Sequence, residues 1–150
     1  MNLITKSFSE LTTKELFLIA KGRVDVFVVE QACAYPELDN VDCNSTTEHL
    51  YWLTDEHLGA YARCYLKDDK YSAIGRVLIS KEHRGNGFAQ ELVTQAIERC
   101  FKLWPSREIY IGAQTYLLDF YQALGFTAIK QPYLEDGIEH QDMILKRPIS

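Results

Sequence analysis

No stretch of the chain approaches the roughly 20 consecutive apolar residues that a membrane-spanning helix needs, so neither a transmembrane segment nor a membrane partner is expected. The amino terminus, MNLITKSFSE, lacks the long apolar core of a signal peptide, which points to the cytoplasm. Cysteine is sparse: Cys33, Cys43, Cys64 and Cys100 form neither a CxxC pair nor a metal-ligand spacing. Free thiols in a reducing compartment, with no metal site, are the plain reading. Positive charge is in deficit too, with a formal net charge of −5 and no Lys or Arg at all from Val24 to Ala62. A nucleic-acid partner, which requires a basic face, is not expected. Repeats, linkers and low-complexity segments are missing, and 150 residues of ordinary globular composition suit one domain, 1–150, with one core. Two common phosphate motifs are also absent: no Gly-Lys-Ser/Thr of a P-loop, and no third glycine of GxGxxG followed by an acidic residue about 20 positions on.

What is present is concentrated between Ser72 and Phe101. Ile74, Val77, Leu78 and Ile79 form a short apolar run with β-branched residues, the pattern of a strand buried on both faces. Arg84-Gly85-Asn86-Gly87-Phe88-Ala89 follows. Ala89, Leu92, Val93, Ala96, Ile97, Cys100 and Phe101 then recur at helical spacing, one face of a helix lying on a sheet. The helix therefore begins inside the glycine turn. The first N–H groups of a helix lack intrahelical partners and carry roughly half a positive charge, so an anion fits there. Gly85 and Gly87 would let a phosphate approach the backbone, and Arg84 would add a cation at the rim. A tight strand-to-helix turn that merely needs two glycines explains the same residues.

Elsewhere, residues 2–8 alternate as an edge strand would, and Thr12-Thr-Lys-Glu15 has the form of a capping box opening a helix that keeps its spacing to about Glu30. Residues 31–47, with Pro36 and several Asn, Ser and Thr, read as a loop. His49–Leu53 and Leu58–Leu66 read as an antiparallel hairpin, Glu108–Ala113 as a strand, Leu117–Leu124 as a helix stopped by Gly125, and 126–133 with 138–145 as a closing hairpin. This order demands a mixed sheet covered by helices, an α/β architecture.

The strand, the Arg-Gly-x-Gly-x-Ala turn and the helix resemble the acyl-coenzyme-A site of the GNAT superfamily of N-acetyltransferases. Tyr110-Ile-Gly-Ala-Gln114 followed by Phe120-Tyr121-Gln-Ala-Leu-Gly125-Phe126 is similar to that family's fifth strand, next helix and FYxxxGF ending. Val26 to Gln31, with Tyr35-Pro36 and Asp39, resembles its ElaA-like branch. The resemblance covers essentially the whole chain and implies a central mixed sheet flanked by helices, with acetyl-coenzyme A as cosubstrate. It implies a pantetheine arm along Val77, Leu78 and Ile79, and a pyrophosphate on the N–H groups of Arg84 to Ala89. Tyr121 then stands where a phenol protonates the leaving thiolate, although its spacing fits simple packing beside Phe120 equally well. Gln114 replaces the Asn that many relatives carry at the end of the fifth strand.

The implied acceptor is a primary amine, on a small molecule or a peptide; a monomer and a homodimer are both compatible with it. No general base is evident. Glu30, Asp39, Asp42, His49 and His140 qualify by position, yet ion pairs with Arg23, Arg63 or Arg76 and ordinary strand hydrogen bonds account for each. Part of the acidic stretch from Val24 to Ala62, the loop after the first helix, borders the acceptor side in relatives, and Glu30 and Asp42 are the expected acceptor contacts, through a negative field favouring cationic amines; a solvated acidic surface that only aids solubility explains the same charges. A non-catalytic acyl-coenzyme-A sensor or partner-binding module, and a domain that binds no coenzyme, are the alternatives.

Overall fold

A computed structural model describes residues 1–147. Its strands are β1 (Ile4–Ser7), β2 (Glu48–Thr54), β3 (His57–Leu66), β4 (Tyr71–Ile79), β5 (Glu108–Gln114), β6 (Thr127–Ala128), β7 (Tyr133–Glu135) and β8 (Ile138–Leu145), and its main helices are α1 (Thr13–Val24), α2 (Phe88–Leu103) and α3 (Leu118–Ala123). The strands make one mixed sheet in the order β1-β2-β3-β4-β5-β8-β6, with β7 also on β8. Only β4 and β5 run parallel, joined by the α2 crossover that such a pair needs. Among the described residues no helix is long and apolar enough to cross a membrane.

Alternation along the strands divides the apolar residues between the two faces of the sheet. Leu50, Ala60, Ala62, Ile74, Ile109, Ile111, Ala113 and Met143 pack with Leu92, Val93, Ala96 and Cys100 of α2 and with Tyr121 of α3. Tyr51, Leu58, Tyr61 and Leu78 pack on the other face with Ile19 of α1 and Phe27. The apolar stripe of α2 is thus the one its spacing predicts.

α1 opens on the expected capping box: Thr12 Oγ1 accepts from the Glu15 N–H at 3.1 Å, and Glu15 Oε1 accepts from the Thr12 N–H at 2.9 Å. Burial works to raise the Glu15 pKa, but hydrogen bonds from the Thr12 N–H, the Tyr51 hydroxyl and Lys6 outweigh it and bring it down to about 2. A carboxylate depressed on folding stabilises the fold above its ordinary value of 4.5, and that stability is lost as pH falls towards 2. Melting temperature followed by circular dichroism should therefore fall between these two values, and Glu15→Gln should fall less steeply; parallel curves for the two proteins would show that Glu15 is uncoupled from folding.

The helix continues to Glu30 as expected, but Asp25–Glu30 is a π-helical stretch, where Val26, Val28 and Val29 bring β-branched side chains that fit a tight turn poorly. The closing hairpin forms only in pieces. Residues 129–132 separate β6 from β7, where Pro132 offers no N–H to the ladder, and each piece pairs with β8 on its own.

Candidate active site

β4 and β5 pair only from Tyr71↔Glu108 to Ala73↔Tyr110 and part beyond that point. The cause lies in β4. Its register with β3 shifts between Tyr61↔Leu78 and Arg63↔Gly75, so Ala62 faces both Arg76 and Val77, and Arg76 takes a φ of +53°. Such a bulge bends the strand and leaves one residue out of the ladder. A cleft of about 1200 Å³ fills the resulting gap and reaches both faces of the sheet. On the α2 and α3 side its wall is mostly apolar, from Val77, Ile79, Ala89, Ile111, Ala113 and Phe120, with Tyr121 among them. On the α1 side it is polar, lined by Gln31, Tyr35, Tyr65, Arg76, Gln114, Tyr133, His140 and Asp142. Val77 and Ile79 turn towards α2 while Leu78 turns into the α1 cluster, so the strand's unpaired edge lies in the gap.

At the end of that edge, the glycine turn leads into α2. Gly85 and Gly87 have φ of +83° and +77°, a left-handed backbone that favours glycine. A Cβ at either would meet nothing within 4 Å, so the space in front of the turn is open. Among the described residues, the N–H groups of residues 85–89 have no acceptor. Asn86 Nδ2 donates to the His83 carbonyl at 3.2 Å and ties the turn down. The Phe88 ring packs away from the cleft, 5.4 Å from Trp52, so that residue can serve only through its N–H. Arg84 departs from expectation. Its N–H already bonds the Lys81 carbonyl at 3.5 Å, its Nε donates to the Ile79 carbonyl at 2.9 Å, and its guanidinium pairs with Glu30 at 2.8 Å. The free N–H groups therefore begin at Gly85, and the cation at the rim is already paired.

Tyr121 is 6% exposed, with its ring edge-on to Phe120 and Phe126 at 5.1 and 5.8 Å. Its hydroxyl has no hydrogen-bond partner among the described residues yet is not sealed from solvent, which leaves it facing the cleft. Burial, helped by nearby Tyr116, pushes the phenol up to about 12, so it holds its proton at neutral pH. Gln114 lies across the gap, where its Nε2 meets Gln31 Oε1 at 3.4 Å.

The acidic stretch does not form a free negative field. Lys21 pairs with Asp25, Arg84 with Glu30, Arg99 with Glu48 and Lys14 with Glu56. Asp42, expected on the acceptor rim, is 9% exposed and receives Arg23 and Arg63 at 2.6 and 3.0 Å, away from the cleft wall. Arg23, 1% exposed, also bonds the Glu37 carboxylate at 2.7 Å and its carbonyl at 3.0 Å, while Arg76 reaches Glu37 at 3.0 Å and Arg63 reaches Asp39 at 2.7 Å. These arginines flank or lie outside the stretch, which is why local composition could not show the neutralisation. His49 is buried behind the same network: its Nε2–H donates to the Asp42 carbonyl at 2.9 Å and its Nδ1 accepts from the Tyr61 hydroxyl at 2.6 Å. Burial lowers its pKa, keeping it neutral. Of the expected acceptor contacts only Glu30 lines the cleft, with its charge met by Arg84.

Sequence reasoning named Gln114 and His140 of the polar wall on the α1 side but missed the group centred on Asp142. Asp142 is 8% exposed, accepts from the Tyr133 hydroxyl at 2.7 Å and from the Tyr110 hydroxyl, and has Lys130 at 3.6 Å. Burial first, then this carboxylate, raises both phenols well above the ordinary tyrosine range. One signal was available. Tyr110 and Gln114 on β5, and His140 and Asp142 on β8, alternate with Ile111, Ala113 and Met143, which sets these polar groups on one face of inner strands.

A sheet split beside a strand bulge, opening onto the free N-terminus of a helix, defines an acyltransferase fold of the kind the glycine turn resembles, and residues 21–147 match the Acetyltransferase (GNAT) domain family. The chain belongs to that family. It is 39% identical to Protein ElaA of Escherichia coli (strain K12) over 137 residues, covering 90% of each chain. The crystal structure of Escherichia coli ElaA superposes with a TM-score of 0.91 at 36% identity, over 97% of this chain and all of that one. An acyl-CoA N-acyltransferase from Pseudomonas aeruginosa superposes at 0.90 with 35% identity and the same coverage.

Proposed function

We propose that this single-domain protein is an acetyl-coenzyme-A-dependent N-acetyltransferase that acts in the cytoplasm and transfers the acetyl group directly to a primary amine in a ternary complex. The observation that carries the reading is the gap between β4 and β5, apolar on one face of the sheet, polar on the other, and ending at unpartnered N–H groups. The N–H groups from Gly85 to Ala89 hold the pyrophosphate, aided by the α2 dipole. The free edge of β4 at Val77 to Ile79 pairs with the pantetheine amides as an added strand would, and backbone at the bulge polarises the thioester carbonyl. An amine entering from the α1 side is then held against that carbon, replacing an encounter in solution with a fixed approach. The new C–N bond forms, the C–S bond breaks, and the Tyr121 hydroxyl gives its proton to the departing sulfur.

The test is thiol release from acetyl-coenzyme A against a panel of small amines and short peptides, with the melting shift produced by the coenzyme measured alongside. Both are expected. A shift without release from any acceptor would favour a coenzyme-binding module, and neither would overturn the coenzyme reading. Longer acyl-coenzyme-A thioesters in the same assay test the acetyl preference, which a faster rate with a longer chain would overturn. Tyr121→Phe keeps the ring between Phe120 and Phe126 while removing the proton. Its coenzyme melting shift should stay, and turnover should drop about 100-fold or more, the usual scale for a general acid. Unchanged turnover would return Tyr121 to a packing role.

A further inference from the structure

We infer that His140 is the general base that receives the acceptor amine's proton, an assignment that rests on the acetyltransferase reading above. Transfer to an amine needs such a group: an ammonium has no lone pair, and the tetrahedral adduct formed by a neutral amine must lose a proton before it collapses to an amide. The position is suitable. Gln114, which lines the same cleft as Arg76 and Val77 at the bulge, pairs across the ladder with His140. His140 thus lines the gap on its polar α1 side, whereas Tyr121 approaches from the α2 and α3 side. Base and acid face each other across the gap, one proton leaving the nitrogen and another reaching the sulfur.

The imidazole is also prepared for the task. Its Nδ1–H donates to the Ile138 carbonyl at 2.8 Å, which places the proton on that nitrogen and leaves Nε2 as the lone-pair acceptor. The ring is held by stacking on Tyr133, with centroids 6.0 Å apart and planes at 24°. Nε2 lies 3.9 Å from a Glu135 carboxylate oxygen, too far for a hydrogen bond but a distance that an ammonium can bridge. Glu135 attracts the cationic amine to this side of the gap. Tyr133 touches the ring, and the same cleft wall carries Asp136 in the β7–β8 turn and Asp142, itself held by Tyr110, Tyr133 and Lys130. The remaining candidates by position are accounted for, since Glu30 is paired with Arg84 at the rim and Asp39, Asp42 and His49 belong to the buried arginine network.

His140→Asn tests this, because the asparagine amide can still donate to the Ile138 carbonyl while nothing replaces Nε2. The probes are acetyl-coenzyme A with spermidine, n-propylamine and a lysine-containing tripeptide. The variant should keep its melting temperature and its coenzyme shift. Its kcat at pH 7 should fall about 100-fold or more, and the ascending limb of its kcat profile should move to higher pH, where solvent can take the proton. If the variant matches the parent in rate and in pH profile, the base assignment is overturned and the acetyltransferase reading stands. If the parent releases no thiol with any of these acceptors, the acetyltransferase reading fails and the base assignment with it.

Discussion

Gly87→Val should abolish acetyl-coenzyme A binding while leaving a folded protein. Gly87 sits at a φ of +77° at the start of α2, and any Cβ there points into open space. The fold therefore meets no collision, only the strain of a left-handed backbone at an L-residue, about 1–2 kcal/mol. The open space is the one that phosphate oxygens must enter to reach the N–H groups of residues 85–89. A branched side chain in it displaces the ligand from at least two hydrogen bonds to charge, each worth about 1.5–3 kcal/mol, which weakens binding about 100-fold or more. Calorimetric titration with acetyl-coenzyme A should show no heat at concentrations that saturate the parent, while circular dichroism should show a melting temperature a few degrees lower. Gly87→Ala, with a smaller group, should fall between the two. Parental affinity in Gly87→Val would remove the phosphate assignment from this turn.

Arg23→Ala should destabilise the protein by about 3–5 kcal/mol, the scale for removing one partner from a buried ion pair. The guanidinium is 1% exposed and joins α1 to the loop of residues 31–47 through Glu37 and Asp42. Without it those carboxylates stay buried with Arg63 and Arg76 as the cations that meet them. Burial works to raise the Asp42 pKa, but the hydrogen bond and charge of Arg23 lower it below the ordinary carboxylate value. The stability this brings is present above that value and lost as pH falls, so Arg23→Ala should also be less sensitive to acid than the parent. Urea denaturation with an unchanged m-value is the measurement. Arg23→Lys should recover only part of the loss, because an ammonium cannot reproduce the fork that meets both partners. A loss below about 1 kcal/mol would mean that water reaches the site or that the loop relaxes to cover it. The same network holds Tyr35 in the cleft wall through Glu37, so the stability of this protein and the shape of that wall depend on the same buried charges.

The glycine turn was legible because its signal is local: two glycines, a helix stripe and a preceding apolar run lie within thirty consecutive residues, and each fixes backbone geometry on its own. The Thr12–Glu15 capping box, the hairpin of β2 and β3, and the stop at Gly125 were readable for the same reason. The bulge at Arg76 was not, since nothing in Ile-Gly-Arg-Val marks a register shift that arises only when β3 pairs alongside. Neither was the fate of the acidic stretch. Eight carboxylates without a base suggested a field, yet Arg23, Arg63, Arg76, Arg84 and Arg99 come from other elements to neutralise it. His140 could be named as a candidate, but its tautomer and its place opposite Gln114 depend on β8 lying next to β5. Order of elements, the faces they bury and the glycine turn were thus determined by the sequence alone, because periodicity and backbone freedom act over a few residues. Which charges are spent in the interior, where the sheet splits and which polar groups line the gap were decided only by tertiary structure, because pairing across the sheet joins residues that no local pattern relates.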